Sequence, residues 1–324
     1  MKATRAIVRH IGGPEAIEWE EVEIPPPGPG EVLVGHQAVG LNFIDIYHRS
    51  GVYPIEMPAL IGLEAAGHVL AAGAGAEWRE GDRVATFGPQ RGAYATARIV
   101  AADNLLAIPD SIDSEVAAAV LLKGCTTEFL VERCGKVEAG WDVLVHAAAG
   151  GVGTLLVQWL KAVGARVIGT VSTKEKAALA RGAGADDVIL YGHEEVAPRV
   201  RELTGGAGVR VTFDGVGRDT WAASIASTGR RGLVACYGNA SAPVGEVDFG
   251  SLAAAGSLFA TRPTLFDYYA TPDERRAGVA RLWAMVASGA VKPEIGARYP
   301  LRDAARAHRD LEARRTTGSV LLIP

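Results

Sequence analysis

Two apolar rhythms divide the chain. Through about the first 120 residues, short runs of Val, Leu, Ile and Ala are bounded by Gly, Pro, Asp and Asn: GEVLVGHQAVGLN (30–42), LEAAGHVLAAG (63–73), DRVATFG (82–88) and AYATARIVA (93–101). Runs of this kind between turn formers predict strands. PPPGPG (25–30) predicts a rigid turn or an edge segment, because proline brings no amide hydrogen to a central ladder. From about residue 114 the rhythm changes. SEVAAAVLLKGCTTEFLVERCG (114–135) predicts a helix, and VLVHA (143–147), RVIGTV (166–171), DVILY (187–191), VTFDGVG (211–217), LVACYG (233–238) and SLFATR (257–262) predict strands. Helical stretches such as TKEKAALARGAG (173–184) and RDTWAASIAST (218–228) separate them. Strands alternating with helices predict a doubly wound parallel sheet, so the fold class is α/β with a β-rich region ahead of it. Beyond about residue 263 the pattern is mixed, with a helix near 272–288 and a final apolar strand, SVLLIP.

The densest local signal lies between the first strand of the second region and its helix. Ala147, Ala148, Ala149, Gly150, Gly151 and Gly153 crowd the joint, and Leu155, Leu156, Trp159, Leu160 and Val163 then make the apolar stripe of a helix predicted over 154–163 and ended by Gly164. Ala147, Gly150 and Gly153 form an AxxGxxG variant of the dinucleotide fingerprint. Small residues there let backbone amides at a helix N-terminus meet a pyrophosphate. A tight packing turn is the other reading, and the strand–loop–helix–strand setting favours the phosphate cradle. About twenty residues on, where an acid selects NAD, the chain reads GTVSTKEK (169–176). Ser172 and Lys176 are therefore expected on the 2′-phosphate of NADPH, against the alternative of a solvated helix start with ordinary lysines.

Composition narrows the classes. The chain has 324 residues, a net charge of -4 and a pI near 6.0, which leaves no broad basic footprint for nucleic acid or an anionic membrane. No long uninterrupted apolar run predicts a membrane span, and the first residues lack a signal-peptide core, so the cytosol is the expected compartment. Three cysteines (125, 134, 236) without a CxxC pair and seven scattered histidines offer no clustered zinc ligands.

The run AAGGxGxxxxQxxK over 148–161 resembles the signature of zeta-crystallin-like quinone oxidoreductases of the medium-chain dehydrogenase/reductase superfamily, bacterial type. The resemblance extends through GLNFIDIYHRSGVYP (40–54), GLEAAGHV (62–69), GDRV (81–84), LLKGCTT (121–127), GRDTW (217–221), RRGLVACYGNAS (230–241), ATRP (260–263) and the closing LLIP. Trp141 departs from it, standing where a polar or acidic residue is more usual. The resemblance implies a GroES-like domain over 1–122 and 263–324, a Rossmann domain over 123–262, nicotinamide in the cleft between them, and a homodimer joined at the Rossmann sheet edge near SLFATR.

It also implies site residues. Asn42 and Tyr47 would border the nicotinamide and, with Tyr53, the quinone; Tyr47 would donate a hydrogen bond to a quinone oxygen, unless it is simply a core residue. Lys123 and Thr127 would lie near the nicotinamide, Gly150, Gly151 and Val152 at the pyrophosphate, Ser172 and Lys176 at the 2′-phosphate, and Tyr191 near the adenosine. Val216, Gly238, Asn239, Ser241 and Thr261 would line the remaining cofactor path, each with a turn or packing role as its alternative. Zinc relatives carry Cys at the position of Asn42 and Gly-His-Glu where this chain reads Gly62-Leu63-Glu64, so no metal is expected. Asp45 and Glu64 are expected to form a hydrogen-bonding framework. The implied activity is zinc-independent reduction of a quinone by NADPH. Two alternatives stay open: reduction of an activated C=C bond in an enal, enone or enoyl thioester, and NADPH-modulated RNA binding without catalysis, which the acidic pI disfavours.

Overall fold

A computed structural model describes all residues, 1–324. The chain divides into two compact units, Met1–Leu122 with Pro293–Pro324, and Lys123–Lys292.

In the first unit, β1 (Lys2–Val8) pairs with β2 (Ile17–Glu23) in an antiparallel ribbon. The long β3 (Glu31–Leu41) leads into a two-turn helix, α1 (Phe43–Ser50). Four further strands follow: β4 (Ala59–Leu60), which adds to β1, β5 (Glu64–Ala72), β6 (Arg83–Phe87) and β7 (Ala97–Ala101). A short β8 (Leu106–Ala107) pairs with β6. Val8, Ile17, Val39, Leu41, Ile61 and Leu322 make one apolar core and Val32, Val34, Val69, Val84 and Val100 another. Val32 and Val34, two residues apart on β3, show the period of a strand with one face inward. PPPGPG lies outside every strand.

The expected helix over 114–135 is divided. α2 (Ser114–Glu128) runs on as a six-residue π-helical segment, Phe129–Cys134. The chain passes from the first unit to the second within α2.

The second unit alternates strand and helix: β9 (Asp142–Val145), α3 (Gly151–Ala162), β10 (Arg166–Val171), α4 (Lys174–Gly182), β11 (Asp187–Leu190), α5 (Val196–Leu203), β12 (Val209–Asp214), α6 (Arg218–Ser227), β13 (Thr228–Cys236), α7 (Phe249–Ala254) and β14 (Phe259–Thr261). Every pairing is parallel, and the order across the sheet is β11-β10-β9-β12-β13-β14. This is the doubly wound order whose direction of winding reverses between β9 and β12. Ligands bind at the carboxyl ends of the strands beside such a reversal. Val143, Leu144, Val145, Val167 and Ile168 are all buried, as expected for strands covered on both faces.

α8 (Leu265–Tyr268) and α9 (Pro272–Ala287) remain with the second unit, so the return to the first falls at 293 and not at the expected 263. Packing explains the difference. Leu282 on α9 lies so close to Gly124 that a Cβ there would come within 2.4 Å of it, and a Cβ on Gly278 would meet the Tyr269 hydroxyl at 2.3 Å. Gln158 closes the segment, donating to the Lys292 carbonyl and accepting its amide. The chain then completes the first unit with β15 (Ile295–Pro300), α10 (Ala304–Glu312) and β16 (Ser319–Ile323), which extends the seven-stranded sheet beside β3. No helix is long and apolar enough to cross a membrane.

Candidate active site

The glycine joint is built around a reversal that glycine would ordinarily serve. Ala147 takes a left-handed conformation (φ 52°), which costs an L-residue roughly 1 kcal/mol. It is held there because Gly150 donates to the Ala147 carbonyl at 2.9 Å and Ala148 to that of Thr170 at 3.0 Å. α3 then begins at Gly151, three residues earlier than the apolar stripe implied, with Gly150 as its N-cap. Gly151 and Val152 thus sit in the first turn, where amides lack intrahelical acceptors. A Cβ on Gly153 would lie 2.2 Å from the Ala147 carbonyl oxygen, whereas one on Gly150 would meet the same atom at 3.2 Å. Gly153 is therefore what lets α3 close onto the loop.

Across the winding reversal, Asp214 ends β12 fully buried. Its carboxylate accepts the amides of Val216 and Gly217 at 2.9 and 3.0 Å and the hydroxyls of Thr220 and Ser224 at 2.8 and 2.7 Å. Those donors satisfy a buried charge without a cation and pin the β12–α6 turn. Ser241 donates to the Val216 carbonyl at 2.9 Å, and a Cβ on Gly238 would lie 2.3 Å from the Gly215 carbonyl oxygen. Val216, Gly238 and Ser241 are thereby drawn into one cluster, with Asn239 between the last two. Thr261 stands apart on the edge strand, opposite Ala235. His146, also buried, packs its Nδ1 against the Thr170 hydroxyl at 3.0 Å; burial lowers its pKa and Asp214 partly opposes this.

Ser172 and Lys176 flank the start of α4, whose N-cap Thr173 accepts the Lys176 amide at 3.3 Å. Both side chains are half-buried at the end of β10. Tyr191 follows β11 and is 45% exposed, with its amide on the Val171 carbonyl. Lys123 and Thr127 occupy successive turns of α2, where the Thr127 hydroxyl donates to the Lys123 carbonyl at 3.0 Å.

In the first unit, Asn42 caps α1. Its amide donates to Asp45 at 2.9 Å, an arrangement worth about 1 kcal/mol to a helix this short. Its side-chain nitrogen donates to Glu64 at 2.9 Å, and the other Glu64 oxygen accepts the Leu122 amide at 2.6 Å. Asp45 and Glu64 form a hydrogen-bonded framework around Asn42. No group of His, Cys, Asp and Glu side chains converges in a metal-holding arrangement. On α1, Tyr47 is buried, and its ring lies 5.0 Å from that of Tyr53 and 6.1 Å from that of Phe43.

Sequence reasoning passed over Asp214, His146, Tyr94 and His308. For Asp214 a signal existed: an acid closing an apolar strand just before Gly-x-Gly has no solvent to face. The fit of a dinucleotide rests on the crowded glycines. At 153, 217 and 238 a Cβ would strike backbone oxygen at 2.2–2.4 Å, so bare backbone lines the strand ends on both sides of the reversal.

Two family models match the chain, the alcohol dehydrogenase GroES-like domain over residues 28–110 and the zinc-binding dehydrogenase domain over 151–271. A quinone oxidoreductase of Pseudomonas aeruginosa is 48% identical over 97% of both chains. A 2-haloacrylate reductase of a Burkholderia species is 41% identical over 98% of both. The Escherichia coli quinone oxidoreductase solved in complex with NADPH superposes with a TM-score of 0.96 at 43% identity, covering 99% of this chain and 100% of that one. The β-rich unit is thus GroES-like and the parallel-sheet unit Rossmann-type, and the chain belongs to the quinone oxidoreductase family of the medium-chain dehydrogenase/reductase superfamily.

Proposed function

We propose that this protein is an NADPH-dependent quinone oxidoreductase. The observation that carries the reading is the pair of glycine-lined strand ends at the winding reversal, in a chain that matches an NADPH-complexed quinone oxidoreductase along its whole length. NADPH, when bound, supplies the reducing equivalents. The α3 N-terminus with Gly150, Gly151 and Val152 holds the pyrophosphate, and Ser172 and Lys176 hold the 2′-phosphate. Tyr191 supports the adenosine. Val216, Gly238, Asn239, Ser241 and Thr261 line the remaining cofactor path, with Lys123 and Thr127 toward the nicotinamide. We assign Asn42, Tyr47 and Tyr53 to the quinone and the reactive end of the cofactor, with the Tyr47 hydroxyl donating to a quinone oxygen. A quinone accepts electrons readily because reduction restores aromaticity, so the protein's task is orientation more than activation.

Initial rates of NADPH and NADH oxidation with 1,4-benzoquinone, a polycyclic quinone and 2-cyclohexenone test the reading. Fast, NADPH-selective turnover of the quinones is expected. The 2-haloacrylate reductase relative favours a second reading, reduction of an activated C=C bond, and enone turnover with inert quinones would establish it in place of the first.

We further propose a homodimer through the β14 edge. That strand has no partner on its outer side, and Phe259 and, nearby, Phe249 are 62% and 81% exposed. Sedimentation velocity should find a dimer in the wild type and a monomer in Phe259→Glu. A cytosolic location accords with three cysteines left as free thiols.

A further inference from the structure

Behind Asn42 and Asp45, a chain of polar groups crosses the interior of the first unit. Glu312 on α10, 35% exposed at its side chain, takes both terminal nitrogens of Arg49 at 2.6 and 3.2 Å. Arg49 Nη1 also meets His308 Nδ1 at 3.4 Å. His308 Nε2 meets the Tyr94 hydroxyl at 2.9 Å, and that hydroxyl meets Asp45 Oδ2, the atom that accepts the Asn42 amide, at 3.1 Å. Arg49, His308, Tyr94 and Asp45 are all buried.

The chemistry of the members sets the direction of every bond. Arginine only donates, so His308 Nδ1 accepts and its single proton sits on Nε2. Nε2–H then donates to the Tyr94 oxygen, leaving the Tyr94 hydroxyl proton for Asp45. Burial and the Arg49 charge keep His308 neutral, with a pKa lowered to about 3, as this pattern requires. The tyrosine ring stands edge-on to the imidazole at 5.7 Å and 89°. Gly62 makes room for it, since a Cβ there would lie 2.3 Å from the ring.

The two ends of this chain grip α1 one turn apart. Asp45 and Arg49 are four residues apart and share a face, while Tyr47 lies about 200° around the helix from Asp45. A helix of eight residues has little stability of its own, so its rotation is set by what holds it. We propose that Tyr94 and His308 are positioning residues for the reduction: through Asp45 and Arg49 they set the rotation of α1, and so the placement of Asn42 and Tyr47. The inference rests on the assignment of those two residues to the quinone.

The test compares wild type, Tyr94→Phe, His308→Leu and His308→Gln. The glutamine amide accepts from Arg49 and donates to Tyr94, so that variant restores the pattern. Steady-state kinetics with 1,4-benzoquinone should show kcat/KM about tenfold lower in Tyr94→Phe and His308→Leu and within about twofold of wild type in His308→Gln. NADPH affinity, read by fluorescence titration, should match wild type in all three variants. A role in stability alone would lower the thermal midpoint and leave kcat and KM of the folded enzyme intact, which would overturn the inference. Nitrogen-15 NMR of histidine-labelled wild type gives a reading free of any variant's folding: His308 should be the neutral Nε2–H tautomer from pH 7 down to pH 5, and a charged or Nδ1–H ring would overturn it. Lack of quinone turnover in the wild type would remove the quinone reading and this inference together; wild-type turnover with unaltered variants would remove this inference alone.

Discussion

Gly153 and Gly150, three residues apart in one loop, are separated in meaning by distance alone. A methyl group at 153 would press into a backbone carbonyl that has nowhere to move, whereas one at 150 would need a shift of only a few tenths of an ångström. Gly153→Ala is expected to weaken NADPH binding more than tenfold, and Gly150→Ala by about threefold, measured by fluorescence titration of folded protein. Lys176 offers a test of another kind. Lys176→Ala should raise KM for NADPH about tenfold, the scale of one charge-assisted phosphate contact, and leave KM for NADH unaltered. An equal effect on both cofactors would place Lys176 away from the 2′-phosphate. Both glycines and the lysine could be singled out from the sequence because they lie in or just beyond a local fingerprint. Asp214 was not read although its place before Gly-x-Gly marked it, because the alignment of its donors is set only when the turn and α6 fold around it.

Among the elements, α2 is set by its neighbours as much as by its own residues. Glu64 accepts the amide of Leu122 in the middle of the helix, and Gly40 on β3 leaves the space for that carboxylate. A Cβ at Gly40 would lie 2.1 Å from the Glu64 carboxylate and 2.4 Å from the Ala118 carbonyl oxygen. Gly40→Ala is therefore expected to push β3 and α2 apart, at a cost of about 2 kcal/mol, and to lower the thermal midpoint by several degrees. The apolar rhythm predicted one helix through 114–135 and could not show the π-helical turn at its end. There the buried Glu128 holds Arg133 at 2.6 Å and the Tyr269 hydroxyl at 2.6 Å, and Phe129 stacks on Tyr268 at 4.5 Å. Arg133 is local, but Tyr268 and Tyr269 sit some 140 residues further along the chain, outside the reach of any local period.

At the scale of the whole molecule, buried histidines make stability depend on pH. Burial lowers the pKa of both His36 and His308 from 6.5 to about 3, with Arg98 and Arg49 adding to the effect. Between those values the unfolded chain binds more protons than the folded one, so stability rises with pH across the window and is lost as pH falls through it. At pH 5 each histidine costs about 2 kcal/mol relative to neutral pH. The thermal midpoint should therefore drop between pH 7.5 and pH 5, and His308→Gln should reduce that drop. An identical drop in the variant would show that His308 titrates near its ordinary value in the folded chain.

The order of strands and helices, the glycine-rich joint between β9 and α3 and the family were readable from the sequence by itself. All three follow from features a few residues long: apolar period, turn formers, and small residues where backbone must approach a ligand. The tertiary structure alone decided that residues 263–292 stay with the dinucleotide-binding unit, that Asn42 is held between Asp45 and Glu64, and that Arg49 reaches His308 across 259 residues of chain. A buried polar group must find a partner wherever packing brings one, and packing is a property of the folded whole.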